Sequence, residues 1–265
     1  MNFMAKALIN LVHANGFPAG SYKTFLSYFS EQYQCIAHPK FGHDIRYPSH
    51  HNWQYLVTEL IDFLKQQPAP VIGLGHSFGG VLTFMAACKA PELFRGIVLL
   101  DPPIFTGPIS IGIKFAKHSR LIDSMSPAGK SKIRRQHWPL SFDVRSHFAR
   151  TKLFRNFDPR CLQDYIDSAI EVVNEQQQLT FKREVETDIF RNMPTNLSSF
   201  KRKLTVPAAF LYGEHTDVCT PKYVKRFINQ HPEMEFHMVS NGQHMFPLEQ
   251  PEQVSQQIKA LIEHW

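Results

Sequence analysis

The sequence predicts an α/β protein with a mostly parallel sheet of about six strands, flanked by helices and interrupted by a helical insertion. Two observations predict this class. Short apolar segments alternate with amphipathic segments up to residue 103 and again after residue 204, which is typical of a parallel sheet with helices on both faces. The intervening residues contain no clear buried strand and are rich in Arg, Lys, Phe and helical patterns.

The predicted elements follow from periodicity and from turn residues. Apolar runs predict six core strands, at 7–12, 34–38, 71–75, 96–100, 208–212 and 235–239. Helical spacing predicts five core helices, at 21–32, 52–66, 78–90, 221–230 and 249–264. Four further helices are predicted near 110–122, 126–137, 143–153 and 159–175. The chain is therefore divided into a core, residues 1–103 and 204–265, and a helical cap insertion, residues 104–203.

Composition excludes several classes of protein. Of the 265 residues, 43% are hydrophobic and 20% are charged, which excludes a disordered chain. The four cysteines form no CxxC pair, so neither a zinc site nor a disulfide framework is expected. Reduced thiols in a cytoplasmic protein are expected instead. No signal peptide is expected, and no apolar run approaches the ~20 residues that span a bilayer.

The segment Gly75-His76-Ser77-Phe78-Gly79 matches the pattern G-x-S-x-G between a predicted strand and a predicted helix. In that context the serine lies on a strained turn that exposes its hydroxyl group. Ser77 is therefore the candidate nucleophile, and the backbone N–H of Phe78 is a candidate donor to an oxyanion. His76 is interpreted as a spacer that packs or lines the pocket.

A nucleophilic serine needs a histidine base and an acid that orients it, in the chain order Ser, acid, His. His244 follows the last predicted strand and is the candidate base. Two aspartates follow predicted strands: Asp217, which is favoured as the acid, and Asp101, which is the alternative. Glu214 is a weaker third choice. Four further histidines have spacings that match no metal-ligand pattern, so no metal is expected: His38, His43, His50 and His51.

These motifs resemble those of the α/β-hydrolase family, here a serine hydrolase with a helical cap. The resemblance rests on the elbow at 75–80, the acid loop at 213–221 and the histidine loop with its helix at 242–254. Asn15-Gly16-Phe17-Pro18 is similar to the family's His-Gly-x-Pro oxyanion loop, although Asn15 replaces the usual histidine. The resemblance implies the Phe17 N–H as the second oxyanion donor. The family usually has an N-terminal hairpin before this loop, but here the loop begins at His13, so the hairpin cannot fit and a shortened sheet of about six strands is expected.

The expected activity is hydrolysis of a carboxylic ester of small to medium size through an acyl-enzyme, with no cofactor. Thioesterase, lactonase and carbon–carbon bond hydrolase activities use the same triad and remain open. A lyase that uses the triad without an acyl-enzyme also remains open. The alternative from another class is a non-catalytic ligand-binding protein on the same fold. The expected partner is therefore a small-molecule ester.

Charge is distributed unevenly along the chain. The formal net charge is +6, but residues 104–203 hold 18 Lys and Arg against 10 Asp and Glu, whereas the remainder holds 11 against 13. No known nucleic-acid motif accompanies this excess, so a nucleic-acid partner is not expected. Two interpretations stay open: a solvated surface of the insertion, or steering of anionic ester substrates towards Ser77.

Overall fold

The computed structural model describes residues 6–119 and 121–265. Residues 1–5 of the predicted core and residue 120 of the predicted insertion lie outside the described residues. The strands are β1 (Ala7–Val12), β2 (Tyr33–Ala37), β3 (Val71–His76), β4 (Phe94–Leu100), β5 (His137–Pro139), β6 (Ile170–Val173), β7 (Gln176–Leu179), β8 (Ala208–Gly213) and β9 (Glu235–Val239).

Helices separate and follow these strands. The α-helices are α1 (Lys23–Ser27), α2 (His50–Lys65), α3 (Phe78–Lys89), α4 (Pro108–Ala116), α5 (Leu121–Met125), α6 (Ala128–Ser131), α7 (Val144–Ala149), α8 (Pro159–Ala169), α9 (Arg183–Arg191), α10 (Pro221–Gln230), α11 (Phe246–Glu249) and α12 (Pro251–Ile262). Short 3₁₀ helices cover Ala19–Tyr22, Pro91–Leu93 and Leu197–Phe200.

Six strands form one sheet in the order β2-β1-β3-β4-β8-β9, and every neighbouring pair is parallel. The predicted α/β class and six-stranded parallel sheet are confirmed. The chain leaves β1 towards one edge of the sheet and continues from β3 towards the other. In such sheets, ligands bind at the carboxyl ends of the strands, near the point where the strand order reverses.

The alternation of side chains along β1 builds two cores, one on each face of the sheet. Leu8 and Val12 pack in the cluster on the side of α2 and α3, whereas Ile9 and Leu11 pack in the cluster on the opposite side. All four side chains are buried. An apolar strand covered on both faces is what a parallel sheet requires, so β1 and its neighbours form a rigid support for the loops that follow them.

The segment between β4 and β8, residues 104–203, contains α4 to α9 and a small antiparallel sheet in the order β5-β7-β6. The helix predicted over 159–175 ends at Ala169, and Ile170–Val173 forms β6 instead. Asn174 and Glu175 have positive φ values, 47° and 58°, and make the tight turn into β7. The β-branched residues that precede this turn favour a hairpin over a helix.

The four cysteines are all free thiols, and Cys161 and Cys219 are buried. Within residues 6–119 and 121–265, no helix is long and apolar enough to cross a membrane.

Candidate active site

Ser77 occupies the tight turn between β3 and α3. Its backbone has φ 53° and ψ −120°, a strained conformation for a residue other than glycine. Its neighbours must be small, because a Cβ atom at Gly75 would lie 2.5 Å from the carbonyl oxygen of Gly79, and one at Gly79 would clash with Val12. The Ser77 N–H donates to the carbonyl oxygen of Leu100 at 2.8 Å. This geometry matches the predicted elbow and joins it to the end of β4.

His244 lies in the loop between β9 and α11, and its side chain is 19% exposed. Its Nε2 atom is 2.9 Å from Ser77 Oγ, and its Nδ1 atom is 2.7 Å from Asp101 Oδ2. An ionised carboxylate only accepts hydrogen bonds, so Nδ1 carries the proton and Nε2 accepts from the Ser77 hydroxyl. This is the protonation pattern that a histidine needs to remove the serine proton.

The carboxylate beside His244 belongs to Asp101, the alternative acid, and not to Asp217. Asp217 is exposed on the loop after β8, so the assignment of the acid to Asp217 does not fit the structure. Asp101 is fully buried and follows β4 directly, with φ 47°. Because β4 is the neighbour of β3 in the sheet, the carboxyl ends of the two strands bring Asp101 and Ser77 together.

The loop of residues 213–221 holds the acid rather than supplying it. The Gly213 N–H donates to Asp101 Oδ1 at 3.1 Å, and the Thr216 hydroxyl donates to Asp101 Oδ2 at 2.5 Å. The Cys219 thiol donates to the carbonyl oxygen of Pro102 at 3.0 Å, and burial raises the pKa of that thiol well above its usual range. With His244, Asp101 therefore accepts from three donors, which orients its carboxylate fully.

Two glutamates support the loop that carries His244. Glu214, the third candidate for the acid, accepts the N–H of Asn241 at 2.8 Å. Glu249 accepts the N–H of Gln243 at 3.2 Å. Burial raises the pKa of Glu249, while the Gln243 N–H and the nearby His244 lower it. Both carboxylates therefore fix the backbone of this loop, and neither one accepts the Nδ1 proton of His244.

The two predicted oxyanion donors differ in their hydrogen bonding. Phe78 is the first residue of α3, so its N–H has no partner within the helix, and it lies on the same turn as Ser77. The Phe17 N–H donates to the carbonyl oxygen of Ala14 at 3.1 Å, across a turn in which Gly16 has φ 80°. A positive φ at this position is typical of a type II turn. The Phe17 donor is therefore occupied within its own loop.

Tyr22 and His76 link the two loops that flank Ser77, a role that sequence reasoning missed. The Tyr22 hydroxyl lies 2.6 Å from His76 Nδ1 and accepts the N–H of Ala14 at 3.1 Å. His76 Nε2 lies 2.9 Å from the carbonyl oxygen of His244. Both side chains are fully buried. Hydrogen bonds between side chains distant in the chain leave no periodic pattern in a sequence, so only the structure could reveal this connection.

The 104–203 segment is anchored on the predicted oxyanion loop. Asn15 Nδ2 donates to the carbonyl oxygen of Glu186 at 2.9 Å. The Glu186 carboxylate is 2.9 Å from Arg134 Nη1, and Arg134 also donates to the hydroxyl of Tyr165. Burial raises the pKa of Glu186, and the Arg134 charge opposes that rise. A Cβ atom at Gly16 would meet this ion pair at 3.0 Å, so the segment covers the loop closely.

The histidines at 38, 43, 50 and 51 do not converge on one point. His38 packs between the rings of Phe41 and Phe63, and His43 Nε2 accepts the N–H of Lys182 at 3.1 Å. No group of three or more His, Cys, Asp or Glu side chains in the described parts of the chain is arranged to hold a metal ion.

The model of the alpha/beta hydrolase family matches residues 11–257, so the chain belongs to that family. Solved structures similar over nearly the whole chain include E-2-(acetamidomethylene)succinate hydrolase, with a TM-score of 0.77. That structure is 17% identical, and the match covers 98% of this chain and 91% of the other. At this identity the likeness concerns the fold alone.

Two curated relatives match shorter parts of the chain. The "Type I acyl-CoA thioesterase mpaH'" of Penicillium brevicompactum is 36% identical over 107 residues, which cover 40% of this chain and 23% of that protein. The "Monoglyceride lipase" of Rattus norvegicus is 28% identical over 131 residues, which cover 46% of this chain and 43% of that protein. Each match therefore spans less than half the length of the relative.

Proposed function

We propose that this alpha/beta hydrolase cleaves carboxylic esters through an acyl-enzyme on Ser77, with His244 as the base and Asp101 as the acid. One observation carries the proposal. The Ser77 hydroxyl, the His244 ring and the Asp101 carboxylate form a continuous line of hydrogen bonds, at 2.9 Å and 2.7 Å. A serine with such a base and an oriented acid is the arrangement used for acyl transfer on many folds.

In the first step, His244 Nε2 takes the Ser77 proton while Ser77 Oγ attacks the carbonyl carbon of the ester. The imidazolium then gives that proton to the departing alkoxide, and the acyl group stays on Ser77. In the second step, His244 removes a proton from water, which attacks the acyl-enzyme and releases the acid. Asp101 keeps Nδ1 protonated and stabilises the positive ring in both steps.

The oxyanion of each tetrahedral intermediate needs at least two donors near Ser77. The Phe78 N–H at the start of α3 is proposed as the first donor, and the positive end of that helix adds to its effect. The Phe17 N–H stays the predicted second donor. Its bond of 3.1 Å to Ala14 would have to be exchanged for one to the oxyanion, so we expect the Phe17 peptide group to turn when substrate binds, while Ala14 keeps its place.

Residues 104–203 are proposed to act as a cap that selects the substrate. Phe17 of the oxyanion loop packs against three rings of this segment, with centroids 5.6 Å away at Phe154, 6.3 Å at Phe157 and 5.0 Å at Tyr165. The N–H of Asp158 donates at 2.9 Å to the carbonyl oxygen of Leu248, just after the His244 loop. The stretch around 154–158 therefore adjoins both loops of the proposed site.

A second candidate function, thioester hydrolysis, is favoured by the charge of a longer stretch that includes these residues. Residues 145–160 carry one acidic residue, Asp158, and five exposed cationic residues, Arg145, Arg150, Lys152, Arg155 and Arg160. A cationic surface beside the two loops of the proposed site would attract a leaving group with phosphates, such as coenzyme A. The similarity to the Penicillium thioesterase points in the same direction.

A substrate panel compares the two candidates. Nitrophenyl esters of increasing acyl length and the matching acyl-coenzyme A thioesters are offered to the wild type and to Ser77→Ala. We expect hydrolysis of at least one series by the wild type, and a loss of about 10⁴-fold or more in the variant. A coenzyme A preference should weaken between 50 and 300 mM salt, whereas the rate with a neutral ester should not.

A fluorophosphonate probe tests the nucleophile without assuming a substrate. The folded wild type should be labelled at Ser77 and Ser77→Ala should not. Unlabelled wild type, or equal activity of both proteins across the panel, would refute the proposed function in favour of a non-catalytic binding protein. Labelling without ester or thioester turnover would instead direct attention to lactones, to carbon–carbon bonds, or to a lyase reaction.

We also propose a cytoplasmic location, for which the four free thiols are the support.

A further inference from the structure

The hydrogen bonds of Tyr22 and His76 have only one possible direction. The carbonyl oxygen of His244 accepts only, so His76 Nε2 must carry a proton. Burial lowers the pKa of His76 to about 3, with the neighbouring His244 as the next cause, so the ring is neutral at pH 7 and Nδ1 is bare. Tyr22 therefore donates its hydroxyl proton to Nδ1, and its oxygen accepts the N–H of Ala14.

This chain of bonds leaves each of its groups paired. Ala14 begins the turn that contains Phe17, and its carbonyl oxygen accepts from Nδ1 of His13 at 2.9 Å as well as from the Phe17 N–H. The Nε2 atom of His13 accepts the N–H of Phe41, which fixes that ring too. Because a buried polar group that loses its hydrogen-bond partner destabilises the structure, a shift of either loop would be penalised.

We propose that Tyr22 and His76 are positioning residues that hold the Ala14 loop and the His244 loop in a fixed relation to Ser77. The inference rests on the proposed hydrolase function. The His244 ring is held at Nδ1 by Asp101, and His76 holds the backbone carbonyl of the same residue. Displacements of about 1 Å at a reacting group can lower a rate strongly, so such a second anchor has a kinetic consequence.

Two substitutions at His76 test its two hydrogen bonds separately, the one to Tyr22 and the one to His244. Asparagine places an amide oxygen near the position of Nδ1, so His76→Asn keeps the acceptor for Tyr22 and loses the donor to His244. Glutamine places an amide nitrogen near the position of Nε2, so His76→Gln keeps the donor and loses the acceptor. The two variants have similar polarity, and they differ mainly in which hydrogen bond survives.

The expected order of kcat follows the surviving bond to His244. We expect His76→Gln to stay within about threefold of the wild type and His76→Asn to fall about tenfold, with KM within about twofold in both. The rate of fluorophosphonate labelling should fall in the same ratio, because it reports the Ser77–His244 pair without substrate selection.

Tyr22→Phe tests the hydrogen bonds of the Tyr22 hydroxyl with a milder change. It removes the donor to His76 and the acceptor for Ala14 while keeping the ring, and we expect kcat to fall about fivefold. Ser255→Ala is the matched control, since it removes a buried hydroxyl of α12 that donates within that helix, to the carbonyl oxygen of Glu252. It should leave both kcat and the labelling rate unchanged.

The proposal is overturned if Asn and Gln at position 76 reduce kcat equally, or if Tyr22→Phe lowers the melting temperature without changing kcat or labelling. If the His76 variants fail to fold, Tyr22→Phe decides alone. Failure of the proposed function looks different, because the wild type would then remain unlabelled. A labelled wild type with unaffected variants rejects only the positioning role.

Discussion

Asp101 and Asp217 lie in loops that follow two strands of the main sheet, and their surroundings are opposite. Asp101 follows β4, is 0% exposed and accepts hydrogen bonds from Gly213, Thr216 and His244. Asp217 follows β8 and is exposed to solvent. Both follow a parallel strand, so position in the fold alone does not make a carboxylate a partner for His244. A carboxylate becomes that partner when it is buried among groups that donate hydrogen bonds to it.

The comparison also shows that the loop after β8 has a supporting role. Its donors, the Gly213 N–H and the Thr216 hydroxyl, meet both oxygens of the Asp101 carboxylate. An oriented carboxylate needs no reorganisation when the neighbouring imidazole becomes charged. The two loops therefore divide one task between them: the first supplies the charge, and the second fixes its direction.

The sharpest way to break this comparison is to neutralise each aspartate in turn. Asp101→Asn should lower kcat by about 10³–10⁴-fold, because an amide cannot keep the Nδ1 proton on His244 in the same way. Asp217→Asn, the matched control, should stay within about twofold of the wild type. Steady-state kinetics on the best substrate of the panel measure both. The reverse order would restore Asp217 as the acid.

A buried carboxylate with fewer donors extends the comparison to stability. Glu59 on α2 is 3% exposed; its Oε2 accepts the Gly42 N–H at 3.0 Å, while Oε1 has no hydrogen-bond partner in the described structure. The nearest imidazole nitrogen, His38 Nε2, is 3.9 Å away, and burial lowers the pKa of that histidine. Burial raises the pKa of Glu59 from 4.5 to about 7.

The sign of its pH dependence follows from that rise. Folding favours protonated Glu59, so its contribution to stability is complete below about pH 4.5 and is lost as pH rises through about 7. Glu59→Gln keeps an acceptor for Gly42 and has no charge to bury. At pH 8 we expect the variant to be more stable than the wild type by about 3 kcal/mol, with little difference at pH 4.5.

Urea unfolding at pH 4.5, 6 and 8 measures this difference in the free energy of unfolding. The exposed Glu171→Gln is the control and should show no such trend between those pH values. A constant difference between Glu59→Gln and the wild type at every pH would show that the carboxylate is not the cause.

A smaller effect on kcat tests whether the loop after β8 orients the Asp101 carboxylate. Thr216→Val keeps the shape of the side chain but removes the hydroxyl that donates to Asp101. We expect kcat to fall about tenfold while KM stays nearly constant, because the acid loses orientation rather than charge. Thr220→Val is the control in the same loop, since Thr220 makes no side-chain capping bond at the start of α10. Equal effects of the two variants would contradict the holding role.

Much of the core could be predicted because its signals are local. Apolar runs identified all six strands of the main sheet, and glycines around Ser77 identified the elbow, since both patterns lie within a few residues. The first strand of the β6–β7 hairpin falls inside the helix predicted near 159–175, and the sequence predicts no strand for β7. A signal for the hairpin was present, because three β-branched residues precede Asn174 and Glu175.

The position of the acid could not be settled from the sequence, because it depends on which strands are neighbours. Both Asp101 and Asp217 follow predicted strands, and the loop around Asp217 resembles the family's acid loop, so the sequence favours Asp217. The structure separates the two because β4 adjoins β3 and because donors surround Asp101. The role of Phe17 depends in the same way on a hydrogen bond within its loop.

The placement of Asp101 has a consequence for how this protein can change over evolutionary time. The aspartate lies immediately before residues 104–203, yet its three donors come from the core, at Gly213, Thr216 and His244. The segment could therefore be lengthened, shortened or exchanged while the acid keeps its orientation. Under the proposed function, a new substrate preference could then arise by remodelling one continuous stretch of chain, while Asp101 and its three donors stay as they are.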